Sequence, residues 1–299
     1  MRLRHIEVFH AVYSTGSVTS AAAVLNVSQP SVSKVLAHAE QQLGFPLFDR
    51  VKGKLVPTPE ADRLFAHIAP VHESLGRLQH VAENLRAASS GRIRIAATPA
   101  FGIDLLPSVV AAYLDQYGDT VFEIETRHHD EIRSALLESR LDIGLAFSPD
   151  VTAGIAAETL AHARFVVLTP PDVDFGDRTG VTLDDLAGLP FVRLDNRGPL
   201  GRLLSMHIES SGAQLNAIAY AETYHIARAL VSYGAGSTIT DEITAMSKGP
   251  GNVRVWPLEP EVQFSISAMH FDKVPLSVAS RKFVEHLKGS IGAFLGRSQ

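Results

Sequence analysis

The sequence predicts an α/β chain in two parts: a small helical domain closed by a β-hairpin, then one long helix leading into a larger domain of alternating strands and helices. Three observations carry this reading. Residues 3 to 43 hold amphipathic stretches punctuated by Gly16, Ser28 and Gly44, residues 64 to 85 carry an apolar heptad stripe, and beyond residue 92 strand-like and helix-like segments alternate. A chain of 299 residues can bury one small and one larger core.

In the first helix Leu3, Ile6, Phe9, His10 and Tyr13 fall on one stripe, the expected inward face. Gly16 ends that helix. Ser17 can accept the backbone N–H groups opening a second helix, whose Ala21, Ala22, Ala23 and Leu25 allow close helix–helix approach. Ser28 offers a capping hydroxyl to a third helix, and Pro30 sits in its first turn, where a missing N–H costs nothing. Val32, Leu36, Ala39 and Leu43 then point inward, leaving Pro30, Lys34, His38 and Gln41 on the opposite face until Gly44 stops the helix.

Residues 47–50 and 55–57 read as short strands joined by the basic turn Val51-Lys52-Gly53-Lys54, which makes a wing. After Thr58-Pro59 a helix restarts in which Leu64, Ile68, Val71, Leu75, Leu78, Ala82 and Leu85 recur at alternating spacings of four and three. Such a helix, about 30 residues at 1.5 Å rise, is roughly 45 Å long and needs a partner helix to bury its stripe. Pro70 is expected to kink it, and residues 87–91 read as a linker.

Strands are expected at 93–96, 121–124, 143–146, 165–168, 191–194, 217–220, 253–256 and 264–267, with helices around 104–117, 130–139, 182–187, 200–210, 224–233 and 278–294. There is no internal repeat.

The net charge of -5 is unevenly placed. Residues 1–58 hold six Lys or Arg against three Asp or Glu, a balance of +3 that leaves -8 for the remainder. The basic end is therefore the candidate nucleic-acid face. Cysteine is absent, which excludes disulfides, thiolate zinc sites and a cysteine nucleophile. No apolar run approaches the roughly 20 residues that span a bilayer, and the polar start Met1–Glu7 reads as a helix rather than a signal peptide, so no membrane contact and a cytoplasmic location are expected.

A helix-turn-helix inserts its second helix into the major groove of double-stranded DNA, with short polar side chains reaching base edges. Ser28, Gln29, Pro30, Ser31, Ser33 and Lys34 suit that role, while Arg50, Lys52 and Lys54 on the wing suit the flanking phosphates. Taken singly, each has a plainer reading: Ser28 as a helix cap, the lysines as a solvated turn.

The combination is more specific. Gly16-Ser17-x-Thr19-x-Ala21-Ala22, Ser28-Gln29-Pro30-x-x-Ser33, Glu40-x-x-Leu43-Gly44 and Leu47-Phe48-x-Arg50 through Pro57-Thr58 resemble the DNA-binding signature of LysR-type transcriptional regulators, nearly continuously to residue 58. The resemblance implies a winged helix-turn-helix over 1–58, a dimerising linker helix over 59–90 and an effector-binding domain over 91–299. It also implies operator DNA as partner, a homodimer or homotetramer, and contact with RNA polymerase. The effector domain of that family is similar to periplasmic binding proteins, with two α/β lobes joined by two crossovers. Here these are expected near 162–165 and 265–268, giving lobe 1 as 91–163 plus 267–299 and lobe 2 as 164–266.

A small-molecule effector between such lobes sits at the C-terminal ends of strands. The loops meeting that condition contain Thr98, Pro99, Ala100 and Phe101, His128, Ser148, Asp195, Asn196 and Arg197, Thr223, Tyr224 and His225, and Asp241. Thr98, Ser148 and Arg197 best suit an anion, whereas Asp195 or Asp241 suits an ammonium group. Thr98 also reads as a helix cap, Ser148 as a turn residue, Asp195 and Asn196 as loop caps, and the two histidines as structural. The opening Leu3–Val12 resembles the diaminopimelate-sensing and opine-sensing branch, which implies an amino-acid or opine-like effector.

An enzyme is not expected. There is no Gly-x-Ser-x-Gly elbow, Walker loop or His-Glu-x-x-His, and Gly234-Ala235-Gly236 lacks the third glycine of a dinucleotide fingerprint. His128-His129-Asp130 reads as a solvated loop rather than a metal site, because adjacent side chains rarely point at one ion. No cofactor or metal is expected.

Overall fold

In the computed structural model the described residues are 1–299 without 52–53, 87–90, 151, 196, 250 and 297–299; of residues 54, 73, 77 and 79–86 only the backbone is described. The chain divides into two compact units, Met1–Ala82 and Glu83–Gln299.

The first unit stacks α1 (Leu3–Thr15), α2 (Val18–Val24) and α3 (Gln29–Leu43), followed by β1 (Phe48–Val51), β2 (Lys54–Pro57) and the start of α4 (Pro59–Arg86). Gly16 and Gly44 close α1 and α3 in the left-handed conformation, at φ 64° and 81°, where a glycine meets no Cβ penalty. The Ser17 hydroxyl accepts from Ser20 N and starts α2. β1 and β2 pair antiparallel, with Phe48 opposite Pro57 and Val51 opposite Lys54.

The inward face of α1 differs from the expected stripe. His5, Val8, Phe9, Ala11 and Val12 are buried, whereas Leu3 is 48% exposed. His10 and Tyr13 belong to a second face that meets α4: the His10 ring stacks on His72 at 3.9 Å, Tyr13 stacks on Phe65 at 3.9 Å, and the Tyr13 hydroxyl donates to Asp62 at 2.7 Å. Two packing partners on two sides of one helix blur a single-stripe reading. α4 runs unbroken through Pro70. Its Ala61 and Ile68 are buried in this unit, while Val71 and Leu78, 44% and 67% exposed, carry the stripe outward.

The second unit begins with β3 (Arg92–Ala97), α5 (Pro99–Gly102), α6 (Leu105–Tyr117), β4 (Val121–Thr126), α7 (His129–Leu137) and β5 (Ile143–Phe147). β3 pairs parallel with both β4 and β5. β6 (Ile155–Thr169) then leads to β7 (Val181–Thr182), β8 (Pro190–Leu194), α8 (Gly198–Ser211), β9 (Asn216–Ala221), α9 (Tyr224–Ser232), β10 (Thr238–Asp241), α10 (Glu242–Met246) and β11 (Arg254–Glu259). β12 (Gln263–Phe271) and α11 (Val278–Phe294) complete the chain.

Two long strands hold both lobes. β6 pairs antiparallel with β12 from Ile155 opposite Phe271 to Arg164 opposite Gln263, then continues against β10 and β11. β12 also pairs with β5, which ties that half to the first lobe. The helix expected at 182–187 is instead β7 followed by a 3-10 turn at Asp184–Leu186, because the Asp185 carboxylate folds back to accept from Thr182 N and its hydroxyl at 2.9 and 2.8 Å.

Gly144 lets α7 press against β5: a Cβ there would lie 2.3 Å from Ile132 Cγ2. Gly144→Val should therefore destabilise the effector domain by about 1–3 kcal/mol, read as a lower denaturant midpoint at unchanged slope.

Candidate functional site

Two regions gather the residues expected to bind. In the first unit, Ser28, Gln29, Pro30, Ser31 and Lys34 are exposed at the start of α3, and Ser33 is half-buried. Ser28 occupies the cap position in extended conformation, yet its side chain makes no cap hydrogen bond. Pro30 fixes the first turn, so α3 starts without it, and the hydroxyl is left for another partner. The Gln29 amide donates to Ser33 Oγ at 3.0 Å, which holds the glutamine along the helix face. Arg50 is exposed on β1, whereas Lys52 lies outside the described residues, as does the Lys54 side chain.

Glu40 positions the wing, which no single-residue reading had indicated. From α3 its Oε1 accepts from Leu47 N at 2.8 Å and Phe48 N at 3.4 Å, tying the start of β1 to the helix.

In the second unit a cavity of about 480 Å³ opens between the lobes. Thr98, Pro99, Ala100, His128, Asp195, Arg197 and Thr223 line it, as the loop positions had indicated. His129, Asp130, Glu131, Arg202, Glu222 and Tyr224 line it as well. Asn196 lies outside the described residues.

Four expected contributors are placed elsewhere. Phe101 is fully buried and packs on Phe147 at 4.4 Å, so it serves the core beneath the cavity. The Ser148 hydroxyl accepts from Ser265 N at 3.0 Å beside the crossover strands. His225 Nε2 meets Ala100 O at 3.2 Å, linking the lobes. Asp241 is fully buried and caps α10 by accepting from Thr244 N at 2.8 Å. Conversely, His129 is no solvated loop residue: it opens α7 with only 6% exposure.

The electrostatics of the wall are mixed. The N-termini of α7, α8 and α9, which favour negative charge, all contribute lining residues. Arg197 pairs with Asp195 at 2.8 Å and with Glu222 at 3.4 Å. Three polar atoms in the wall, Thr98 Oγ1, His129 Nε2 and Tyr224 OH, are buried without a hydrogen-bond partner, a costly state for a polar group. Burial holds the His129 and His225 pKa values below the ordinary range and pushes that of Tyr224 well up. Complete burial likewise pushes Asp241 up to about 6.

Residues 3–62 match the family described as bacterial regulatory helix-turn-helix protein, lysR family, and residues 86–291 match the LysR substrate binding domain. The chain belongs to the LysR family of transcriptional regulators. Over 97% of its length it is 40% identical to the HTH-type transcriptional regulator DgcR of a Pseudoalteromonas species, covering 100% of that protein. Over 97% of its length it is 30% identical to the transcriptional activator protein LysR of Escherichia coli K12, covering 94% of it.

Among solved structures, full-length CbnR complexed with its target DNA superposes with a TM-score of 0.66 at 21% identity, covering 97% of this chain and 100% of that one. A full-length OxyR variant from Pseudomonas aeruginosa gives 0.66 at 19% identity, covering 98% and 95%. This LysR-family regulator is thus a ligand-responsive DNA-binding protein with an N-terminal helix-turn-helix and a two-lobed effector domain, and its family is one of regulators rather than enzymes. Among the described residues, no helix is long and apolar enough to cross a membrane.

The pKa directions fix two signs. His129 is harder to protonate folded than unfolded, so its contribution to stability is present above about pH 6.5 and is lost as pH falls. Asp241 acts oppositely: its contribution is present below its ordinary 3.8 and is lost as pH rises to about 6. Relative to the parent, His129→Gln should gain stability as pH falls below 6.5, and Asp241→Asn should gain it as pH rises from about 4 to 6. Urea titrations across pH 4 to 8 check both.

Proposed function

We propose that this regulator binds operator DNA through α3 and the β1–β2 wing, and that its effector is a small zwitterion carrying both a carboxylate and an ammonium group. One observation carries the effector reading: the Arg197–Asp195 pair lies in the wall of a cavity that also contains sealed, unpartnered Thr98, His129 and Tyr224 atoms. An amino-acid head group matches such a pair, its carboxylate taken by the guanidinium and helix N-termini, its ammonium by Asp195 or Glu222. The wall holds four carboxylates, Asp130, Glu131, Asp195 and Glu222, against two guanidiniums, Arg197 and Arg202, which favours a ligand with at least one cationic group. An amino acid or opine-like compound satisfies this.

The mechanism is a coupling between two sites. Effector binding selects one lobe arrangement, and that arrangement changes how paired DNA-binding domains are held on the operator. The pairing is assigned to α4, where exposed Val71 and Leu78 continue the heptad stripe. The reading takes residues 1–58 as the DNA-binding domain, 59–90 as the linker and 91–299 as the effector domain. Lobe 1 is 91–163 plus 267–299, and lobe 2 is 164–266. A homodimer or homotetramer acting in the cytoplasm and signalling to RNA polymerase follows from the same reading.

Two experiments test these claims. Replacing Gln29 and Lys34 together by alanine should abolish specific operator binding while effector affinity stays intact; normal operator binding by this double variant would defeat the assignment of α3. In calorimetric titrations against amino acids, dicarboxylates and aromatic acids, heat should appear with an amino acid and weaken at least tenfold in Thr98→Val or Arg197→Ala. Binding of aromatic acids alone would sink the zwitterion reading.

A further inference from the structure

On the face of α3 opposite its buried residues, His38 lies four positions after Lys34, one helical turn farther along. Its ring meets that of His5, from the start of α1, edge to face with centroids 5.1 Å apart, and His38 Nδ1 lies 3.2 Å from His5 Nε2. His38 is exposed, whereas His5 is only 6% exposed.

The hydrogen bonds assign the protons. Arg2 N donates to His5 Nδ1 at 3.3 Å, closing the first turn of α1, so His5 Nδ1 is the accepting nitrogen. A neutral imidazole carries one proton, which His5 must then hold on Nε2 and donate to His38 Nδ1. His38 in turn keeps its own proton on Nε2, the ring nitrogen away from His5. Burial, together with His38, the amino terminus and Arg2, holds His5 below its ordinary pKa and so keeps it neutral near pH 7.

We propose that His38 is a DNA-binding residue, a hydrogen-bond donor to a backbone phosphate whose outward proton is fixed by His5. The inference rests on the reading of α3 as the DNA-facing helix. In a groove-bound helix the N-terminal residues reach base edges, so His38, more than two turns along, is placed for the backbone. A donor pre-set in one tautomer loses no freedom on contact, unlike a lysine. With Nδ1 accepting from His5, its outward contact through Nε2 is a hydrogen bond rather than an ion pair, which separates it from Lys34 and Arg50 in a salt titration.

The test uses the full-length protein and fluorescence anisotropy on a duplex selected by the parent from random-sequence DNA. His38→Leu should weaken binding about tenfold, the worth of one hydrogen bond to a charged group, with the slope of log affinity against log salt unchanged. His38→Gln, which can accept from His5 and donate outward, should stay within about twofold of the parent. Lys34→Ala should instead make that slope shallower by about 1.

The proposal is overturned if His38→Leu binds like the parent, or if His38→Gln restores the melting temperature but not the affinity. If His38→Leu binds normally while Gln29→Ala and Lys34→Ala bind weakly, only the role of His38 fails. If all three bind normally, the assignment of α3 fails with it.

Discussion

β6 runs through both lobes, paired antiparallel with β12 in its first part and changing partners to enter the second lobe. Up to Arg164 opposite Gln263 the two strands pair with each other; beyond it β6 pairs with β10 and β11 of the second lobe. A row of rings fills the changeover from inside: Phe101 on Phe147 at 4.4 Å, Phe147 on Phe264 at 5.1 Å, and Phe264 on Phe165 at 4.9 Å. Arg164 braces the outside, its backbone N–H donating to Glu242 at 3.2 Å and its guanidinium pairing with Glu261 at 2.9 Å. The two lobes therefore meet over a packed aromatic row.

The DNA-facing unit depends in the same way on a buried node. Phe9 is fully buried and touches three elements, reaching Tyr13 on its own helix, Phe48 of the wing and Phe65 of α4 at 5.8, 5.8 and 6.3 Å. With Glu40 clamping the backbone of Leu47 and Phe48, helix and wing move as one body. The exposed residues proposed to meet DNA are few, and their spacing is set by the apolar contacts of this core. Pre-organisation of this kind lets a modestly basic domain discriminate, because little ordering entropy is left to lose on binding.

Much of this was legible in the sequence where one residue type admits one conformation. Gly16, Gly44 and the Ser17 cap marked helix ends correctly, since left-handed closure and capping are local physics. Illegible were features set by distant partners. The first half of β6, where Glu158, His162 and Arg164 interrupt the apolar pattern, gave no strand signal because its pairing with β12 supplies the order. In the cavity, the strand-end rule found Thr98, Asp195, Arg197, Thr223 and the loop holding Tyr224, but passed over Glu222, which directly follows β9, and Arg202, which lies inside α8. His129 was missed because an adjacent His-His-Asp string reads as solvated, while the structure makes His129 the first residue of α7.

Across the mouth of the cavity the lobes are joined by weak ties. Arg202 of α8 pairs with Asp150 at 2.6 Å, and His128 Nε2 lies 3.5 Å from a Glu222 carboxylate oxygen, all four side chains being between 44% and 57% exposed. Exposed pairs of this kind contribute about 0–1 kcal/mol each, so they cannot by themselves hold one lobe arrangement against another. The stronger unmet demand lies deeper, in the sealed Thr98, His129 and Tyr224 atoms, whose lack of partners costs about 1–3 kcal/mol apiece. A ligand able to satisfy even two of them in one arrangement gains more free energy than both surface ties together. A ligand shifts a conformational equilibrium only by its differential affinity for the two states, so contacts as weak as those at the rim leave the choice of lobe arrangement open to an effector.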